Sequence, residues 1–308
     1  MSNYVIAVDI GATKAALGIV SDNFEIIKKI EVPTGLNSAI WENIQSACED
    51  LQSHAKAHLK GSFLGVGIGS AGPLNIDAGQ ISPVNIPSWR GFPIVEKFSN
   101  LFKTKNVVLH GDAMALAHAE YRLGAGQNVS NMLGMVVSTG IGGGLILNGK
   151  LFTGISGNAS YFGHHTISFE GIQCACGRTG CVETYASGPK MVEYAISQGW
   201  KNEIADFKNL AEDARNGNAI ALQSIERGSK ALANAIVNVL DILDINTVVI
   251  GGGVSEAGEI YWQPLRKNVI SEANYAGFLD NIDLRPAKLV RDAGLLGAAL
   301  GVLDSEEM

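Results

Sequence analysis

Apolar residues in the first half of the chain form short runs separated by polar turns, which is the pattern of β-strands. Three such runs follow one another closely, and the turn "IGAT" joins the first two. A longer segment repeats its apolar positions every three to four residues, which predicts a helix that Asn37 caps and that continues to about Lys60. The predicted strands are 4–9, 15–20, 24–32, 63–70 and 106–112, and a further helix is predicted over 112–124.

The second half of the chain repeats this order. A strand, a glycine turn and another strand are predicted within 132–147, and Asn148-Gly149 then predicts a hairpin turn. The later elements are a long helix over about 218–243, a strand within 246–254 that meets a glycine turn, and a closing helix over 292–303. Because a strand–glycine-turn–strand unit opens each half, the sequence predicts a duplicated α/β architecture with a cleft between two lobes.

The composition excludes several classes of protein. Of 308 residues, 46% are hydrophobic and 17% are charged, and the formal net charge is −7. This mild acidity, without a long basic run, argues against nucleic acid or an anionic membrane as partner. The start "MSNYVIAVDIGATK" lacks the features of a signal peptide, and no apolar run is long enough to span a bilayer. We therefore expect a cytoplasmic protein.

Glycine is the outlier, with 37 residues, many of them in clusters that follow apolar β-branched runs. Tight turns alone are the simpler explanation of any one cluster. Three clusters at strand ends favour a phosphate or substrate site that the backbone approaches closely. The clusters are Gly65, Gly67, Gly69 and Gly72; Gly140, Gly142, Gly143 and Gly144; and Gly251, Gly252 and Gly253.

The segment "HTISFEGIQCACGRTGCVET" holds three of the four cysteines within eight positions, directly after "YFGH". Cysteines one residue apart are poorly placed to form a disulfide with each other. Three thiolates and one imidazole suit a closed, structural Zn²⁺ site, and Gly177 and Gly180 would let the loop wrap the ion. The predicted ligands are His164, Cys174, Cys176 and Cys181. The alternative is that these three cysteines are free and buried. We expect that environment for the fourth cysteine, Cys48, in its helix.

Four segments, in this order, resemble the phosphate, adenosine and connecting motifs of sugar kinases in the repressor, open-reading-frame, kinase (ROK) family. They are "VDIGATKAALGIV", "VVSTGIGGGLI", "VVIGGGV" and "DAGLLGAAL". The resemblance covers essentially the whole chain, and the cysteine spacing is also that of the zinc motif in zinc-containing members. It implies an α/β class of duplicated actin- and hexokinase-like (ribonuclease H-like) fold, which agrees with the repeat.

The resemblance also implies an activity and a domain division. The expected reaction is ATP-dependent phosphorylation of the 6-hydroxyl of a hexose or N-acetylhexosamine, such as glucose or N-acetylmannosamine, by a homodimer or homotetramer. The expected small lobe is 1–111, with the closing helix 292–308 packed back on it. The large lobe is 112–291 and contains the zinc loop 164–183.

The glycine turns are the expected site for ATP with Mg²⁺. In "DIGATK" the turn brings backbone N–H groups within reach of phosphate oxygens, and Asp9 ends a strand where it can bind Mg²⁺ through water. Capping of the hairpin is the alternative for Asp9. The family usually has Gly where Ala12 stands. The expected nucleotide-binding residues are Asp9, Gly11, Ala12, Thr13, Lys14, Thr139, Gly140, Gly251, Gly252 and Gly253.

Phosphoryl transfer to a hydroxyl needs a carboxylate within hydrogen-bond reach of that hydroxyl. Asp112 ends one strand and opens a helix, and it occupies the family's general-base position. From the residues alone, helix capping explains the position of Asp112 equally well. For Glu183, the alternative to sugar binding is the role of an acid at a helix N-terminus. The sugar contacts that the resemblance implies are Gly72, Asn85, Gly111, Asp112, Tyr161, His164 and Glu183.

Two departures from the family pattern concern the sugar. The family usually has Asn before the base, where Gly111 stands, and Glu where Tyr161 stands. Altered hydrogen-bonding groups imply altered specificity, and a phenol ring suits the methyl of a 2-acetamido sugar. We therefore expect N-acetylmannosamine over glucose. The alternatives are a catalytically weak sugar sensor and a ROK repressor without its DNA-binding domain; the latter is disfavoured because the chain starts at its first strand.

Overall fold

The computed structural model describes residues 2–11, 13–34, 39–84, 86–274 and 278–304. Its strands are β1 (Tyr4–Ile10), β2 (Lys14–Ser21), β3 (Ile26–Pro33), β4 (Phe63–Ser70), β5 (Leu74–Asn75), β6 (Gln80–Ile81), β7 (Val107–Gly111), β8 (Met132–Val137), β9 (Ile141–Leu147), β10 (Lys150–Phe152), β11 (Thr247–Gly251) and β12 (Asp283–Pro286). Its helices are α1 (Ile40–His58), α2 (Ile94–Phe102), α3 (Asp112–Leu123), α4 (Glu183–Ala186), α5 (Gly188–Ser197), α6 (Phe207–Arg215), α7 (Ala219–Leu243), α8 (Glu259–Asn274) and α9 (Ala293–Leu303).

Two five-stranded sheets with the same topology organise the chain. Their strand orders are β3-β2-β1-β4-β7 and β10-β9-β8-β11-β12. In one sheet, β1 pairs antiparallel with β2 and parallel with β4; in the other, β8 pairs antiparallel with β9 and parallel with β11. The outer strands β7 and β12 are parallel to β4 and β11, respectively. This repetition confirms the duplicated α/β architecture that the sequence predicts.

The predicted elements agree with the structure to within a few residues at their ends. Asn148 and Gly149 have φ angles of 52° and 76°, as a tight hairpin turn between β9 and β10 requires. The predicted cap of α1, Asn37, lies outside the described residues. Helices α2, α5, α6 and α8 and strand β12 are not among the predicted elements. Pro264 inside α8 interrupts the pattern by which such a helix is recognised.

The chain forms two compact units. The first comprises Met1–Leu123, Leu151–Ser160 and Arg291–Met308, and the second comprises Gly124–Lys150 and Tyr161–Val290. Each unit has its own hydrophobic core, in which the apolar faces of its sheet and helices meet. Within the described ranges, none of the helices is both long enough and apolar enough to cross a lipid bilayer.

The division differs from the sequence prediction, which began the second lobe at Asp112. Helix α3 belongs to the first unit because it packs along α9, and the end of α9 fixes it further. Asp304 accepts from Nε2 of His118 at 2.8 Å and pairs with Arg122. The segment 151–160 also joins the first unit, since the side chain of Asn158 bonds both backbone groups of Leu74.

Close packing of α9 on β4 depends on a residue without a side chain. A Cβ at Gly67 would collide with the backbone carbonyl oxygen of Ala298. Gly69 lies two residues along the same strand, where a Cβ would meet the Ala115 methyl at 3.4 Å, an ordinary contact. The two positions therefore differ in how much space they leave for a methyl group.

We expect Gly67→Ala to destabilise the first unit by at least about 2 kcal/mol, because α9 must move away from the sheet. In thermal unfolding this corresponds to a midpoint about 4 °C lower or more. Gly69→Ala is the matched control and should change the midpoint by less than half as much. Equal midpoints for the two variants would contradict this account of the packing.

Candidate functional site

The four predicted zinc ligands come together in the second unit. The nitrogen and sulfur atoms of His164, Cys174, Cys176 and Cys181 all lie within 4.8 Å of one another. Sγ of Cys174 is 3.6 Å from Nδ1 of His164, and Sγ of Cys176 is 3.7 Å from Sγ of Cys181. A tetrahedron with Zn–S bonds of about 2.3 Å has edges of about 3.8 Å. The donor set therefore fits one tetrahedral zinc ion.

The backbone of the loop explains how the ligands converge. The amide of Cys174 bonds the carbonyl of Arg178 at 2.8 Å, and the amide of Gly177 bonds that of Cys174 at 3.0 Å. Gly177 and Gly180 have φ angles of 91° and 75°, which only glycine adopts readily. The loop thus turns sharply between its ligands, as the sequence analysis expected.

Cys48, the fourth cysteine, has a different environment from the other three. It is fully buried in the core of the first unit, where burial raises the pKa of its thiol to about 12. This agrees with the prediction of a small core residue. All four cysteines are free thiols, and none forms a disulfide.

Glu183 begins α4, two residues after the last predicted ligand, and its side chain is held by the backbone of another segment. Its Oε2 accepts a hydrogen bond of 2.8 Å from the amide of Ile141. Ile141 is the first residue of β9 and directly follows the predicted phosphate turn that contains Thr139 and Gly140. Both segments were predicted from the sequence, but this bond was not, because no local pattern connects residues 42 positions apart.

Tyr161 lies beside the ligand cluster. Its side chain is 41% exposed, and its ring is nearly parallel to that of His164 at 6.5 Å between centroids. Nδ1 of His164 faces the Cys174 thiol at 3.6 Å. In the second unit, the structure therefore groups Tyr161, His164, Glu183 and the turn at Gly140.

The two catalytic candidates of the first unit are also neighbours. Asp9, near the end of β1, is the register partner of Gly69 on β4, and a Cβ at Gly69 would lie 3.8 Å from both Asp9 Oδ1 and the Cα of Asp112. Burial and the nearby charge of Asp112 raise the pKa of Asp9 to about 7. Burial also raises the pKa of Asp112. A Cβ at Gly294 would touch the Asp9 carboxylate, so the first turn of α9 packs against it.

Asp112 makes a short contact at the start of α3. Its Oδ1 accepts from the amide of Ala113, the next residue, at 2.7 Å. An N-cap side chain usually accepts from an amide two or three residues ahead, as Asp206 does with Asn209 at the start of α6. The geometry of Asp112 therefore gives little support to the helix-capping alternative.

The remaining predicted residues lie at strand ends and turns. Gly11 closes the β1–β2 hairpin by donating to the carbonyl of Lys14 at 3.0 Å, while the Lys14 ammonium pairs with Glu31 at 2.7 Å. Thr13 is exposed in the same turn.

The turn at Gly251 to Gly253 adjoins the Thr139 turn, since Val254 donates to the carbonyl of Val137 at 3.1 Å. Gly72 follows β4, and Gly111 ends β7. Ala12 and Asn85 lie outside the described residues.

Two sheets of one repeated topology, with glycine turns at the strand ends, define a protein of the actin- and hexokinase-like fold. The model of the ROK family matches residues 5–305, and the chain belongs to that family. It is 33% identical over 310 residues to a glucokinase of Thermotoga maritima, with 96% of each chain covered. It is 35% identical over 303 residues to an N-acetylmannosamine kinase of Haemophilus influenzae, covering 97% of this chain and 95% of that one.

A solved structure agrees with this assignment. The ROK family glucokinase of Streptomyces griseus, crystallised with glucose and AMPPNP, superimposes with a TM-score of 0.80 at 31% identity, covering 96% of this chain and 98% of that one. The likeness extends across both units of the chain. The family and the fold that the sequence motifs suggested are therefore confirmed.

We expect the purified protein to carry about one Zn²⁺ per chain at the His164–Cys181 cluster. Cys176→Ser replaces a soft thiolate by a poor zinc ligand, so it should lose the metal, disorder the loop 164–183 and abolish sugar binding without unfolding the chain. Elemental analysis and circular dichroism measure these effects. Cys48→Ala, in the other unit, should retain the zinc. Wild-type protein purified without chelator and found to be free of zinc would contradict the assignment.

Proposed function

We propose that the protein, a sugar kinase of the ROK family, transfers the γ-phosphoryl group of ATP to the 6-hydroxyl of a hexose or N-acetylhexosamine. The observation that carries this proposal is the pair of neighbouring carboxylates Asp9 and Asp112 in the first unit. Phosphoryl transfer to a sugar needs one carboxylate to take the hydroxyl proton and another group to manage the charge of the phosphates. The pair offers both.

Asp112 acts as the general base. As the 6-oxygen forms its bond to the γ-phosphorus, its proton passes to the Asp112 carboxylate, and the bond from phosphorus to the bridging oxygen of ADP breaks. Burial raises the pKa of Asp112, which makes its carboxylate a stronger proton acceptor than an exposed one. The carboxylate must be ionised to act, so turnover should fall as the pH drops through this raised pKa.

Asp9 is the residue that would hold Mg²⁺ with the nucleotide. Its pKa of about 7 reflects burial and repulsion by Asp112, and a neighbouring cation would oppose both effects. The ion would supply positive charge against the β- and γ-phosphates. The turns after Gly11 and at Thr139 would supply backbone N–H groups for the phosphates, with Lys14 near the first turn. The amide of Gly11 itself is used within the hairpin. The glycines at 251–253 would leave room for adenosine.

The zinc ion is proposed to be structural. His164 and the three cysteines provide four ligands, which leaves no coordination position for substrate. When bound, the ion would fix the loop that carries His164 and Glu183, the two residues proposed to bind sugar hydroxyls. Catalysis itself needs no proton or electron from this site.

A second candidate function is a sugar sensor with little activity. The observations that favour it are Gly111 and Tyr161, which replace the amide and the carboxylate of the usual family pattern. A coupled assay with ATP on a panel of hexoses and N-acetylhexosamines separates the two: turnover of at least one sugar supports the kinase. Sugar binding without turnover would support the sensor.

We expect Asp112→Asn to lower kcat by roughly 10²–10⁴-fold with near-normal sugar affinity, because the amide keeps the size of the side chain but cannot accept the proton. Steady-state kinetics and equilibrium sugar binding measure the two quantities. Asp206→Asn is the matched control, since Asn is also a good helix cap and Asp206 lies at the start of α6. Turnover of Asp112→Asn within a few-fold of wild type would show that Asp112 is only structural.

Tyr161 is proposed to select N-acetylmannosamine over glucose, because its ring offers an apolar face to an acetyl methyl and accepts fewer hydrogen bonds than a carboxylate. We expect Tyr161→Glu to shift the ratio of kcat/KM toward glucose by at least about tenfold, or 1.4 kcal/mol. Tyr161→Phe keeps the ring and should keep the preference. The assignment is wrong if wild type prefers glucose or if the glutamate variant leaves the ratio unchanged.

A further inference from the structure

Glu183 connects two segments to which different substrates are assigned. Its backbone starts α4, at the end of the zinc loop, while its Oε2 holds the amide of Ile141 at 2.8 Å. Ile141 follows the turn Ser138–Gly140, in which the Ser138 amide bonds the Gly140 carbonyl at 2.9 Å. The side chain is therefore a physical link from the proposed sugar-binding loop to the proposed phosphate turn.

Two glycines close around the same carboxylate oxygen. A Cβ at Gly140 would lie 2.7 Å from Oε2, and a Cβ at Gly163 would lie 3.1 Å from it. The oxygen thus lies between the backbones of two other segments, and a side chain at Gly140 would displace it. In the described part of the chain, the hydrogen bonds of the Glu183 side chain use Oε2, so that Oε1 is available to a ligand.

We propose that Glu183 couples sugar binding to nucleotide binding, with Oε1 accepting from a sugar hydroxyl while Oε2 fixes Ile141 and the turn before it. This proposal rests on the proposed kinase function and deepens it. A sugar hydroxyl on Oε1 restricts rotation of the carboxylate, which keeps Oε2 on the Ile141 amide. The turn is then already ordered when the phosphates arrive, so less freedom is lost when the nucleotide binds.

The coupling is reciprocal, because the affinity of each ligand changes by the same factor when the other is bound. An acid that only favours the start of α4 would stabilise the unit equally in all ligand states. It would leave the ratio of the two sugar affinities unchanged. The ratio therefore distinguishes a coupling residue from a structural one.

The experiment measures the Kd of the best sugar of the panel with and without Mg²⁺-AMPPNP, a nucleotide that does not transfer its phosphoryl group. For wild type we expect sugar to bind at least about fivefold tighter with the nucleotide present. Gly140→Ala should reduce this ratio to less than twofold, because the nearest atoms to the new methyl are those of the Glu183 carboxylate. Glu183→Ala should weaken sugar binding and bring the ratio to about one.

Glu259→Ala is the matched control. Glu259 is likewise the first residue of a helix, α8, where its carboxylate pairs with Arg266 at 3.0 Å. Because Glu259 has no assigned role in binding either substrate, this variant should keep the wild-type ratio. Thermal unfolding checks that all variants are folded.

The outcomes separate this proposal from the one on which it rests. A wild-type ratio near one, or a wild-type ratio retained in both Gly140→Ala and Glu183→Ala, overturns the coupling while sugar binding and turnover still support the kinase. A protein that binds no sugar of the panel overturns the kinase function, and the coupling with it.

Discussion

Two neighbouring carboxylates, Asp9 and Asp112, impose the constraint on which the first unit depends. Burial, and after it repulsion by the neighbouring carboxylate of Asp112, raise the pKa of Asp9 to about 7. They meet because β1, β4 and β7 are parallel, so that their carboxyl ends lie at one edge of the sheet. Gly69 leaves the space between them open, and α9 packs its first turn against Asp9. A site of this kind favours a bound cation, as a phosphoryl-transfer enzyme requires.

In the second unit, by contrast, short polar segments are held in place without a strand or a long helix of their own. The loop 164–183 has isolated bridges, such as that of Thr166 with Cys181, in place of a sheet of its own. The four predicted metal ligands converge there, and the bond from Ile141 to Glu183 ties the end of the loop to β9. The polar groups near the proposed sugar site are thereby fixed by donors and acceptors of defined geometry, which suits recognition of hydroxyl groups.

The sequence predicted those features that depend on neighbours along the chain. The Asn148-Gly149 turn, the spacing of Cys174 to Cys181 and the apolar periods of the strands are all local, and the structure has them. The Ile141–Glu183 bond and the packing of α3 on α9 are not local. They join residues far apart in sequence, and nothing in either segment alone specifies the partner. The predicted and observed domain divisions differ for the same reason. The sequence places Asp112 at the end of a strand, which suggests a boundary there, but the helix that Asp112 begins, α3, packs on α9.

The relatives show where substrate choice must lie. A glucokinase and an N-acetylmannosamine kinase match this chain at 33% and 35% identity, each over nearly its whole length. The fold is therefore compatible with either sugar and does not by itself select between them. Selection requires side chains that touch the sugar and that can change without moving the backbone. Tyr161, partly exposed beside His164, is the residue proposed to meet both conditions. Gly111 meets the second condition in another way, because it has no side chain next to Asp112, the proposed base, while β7 and α3 are both formed.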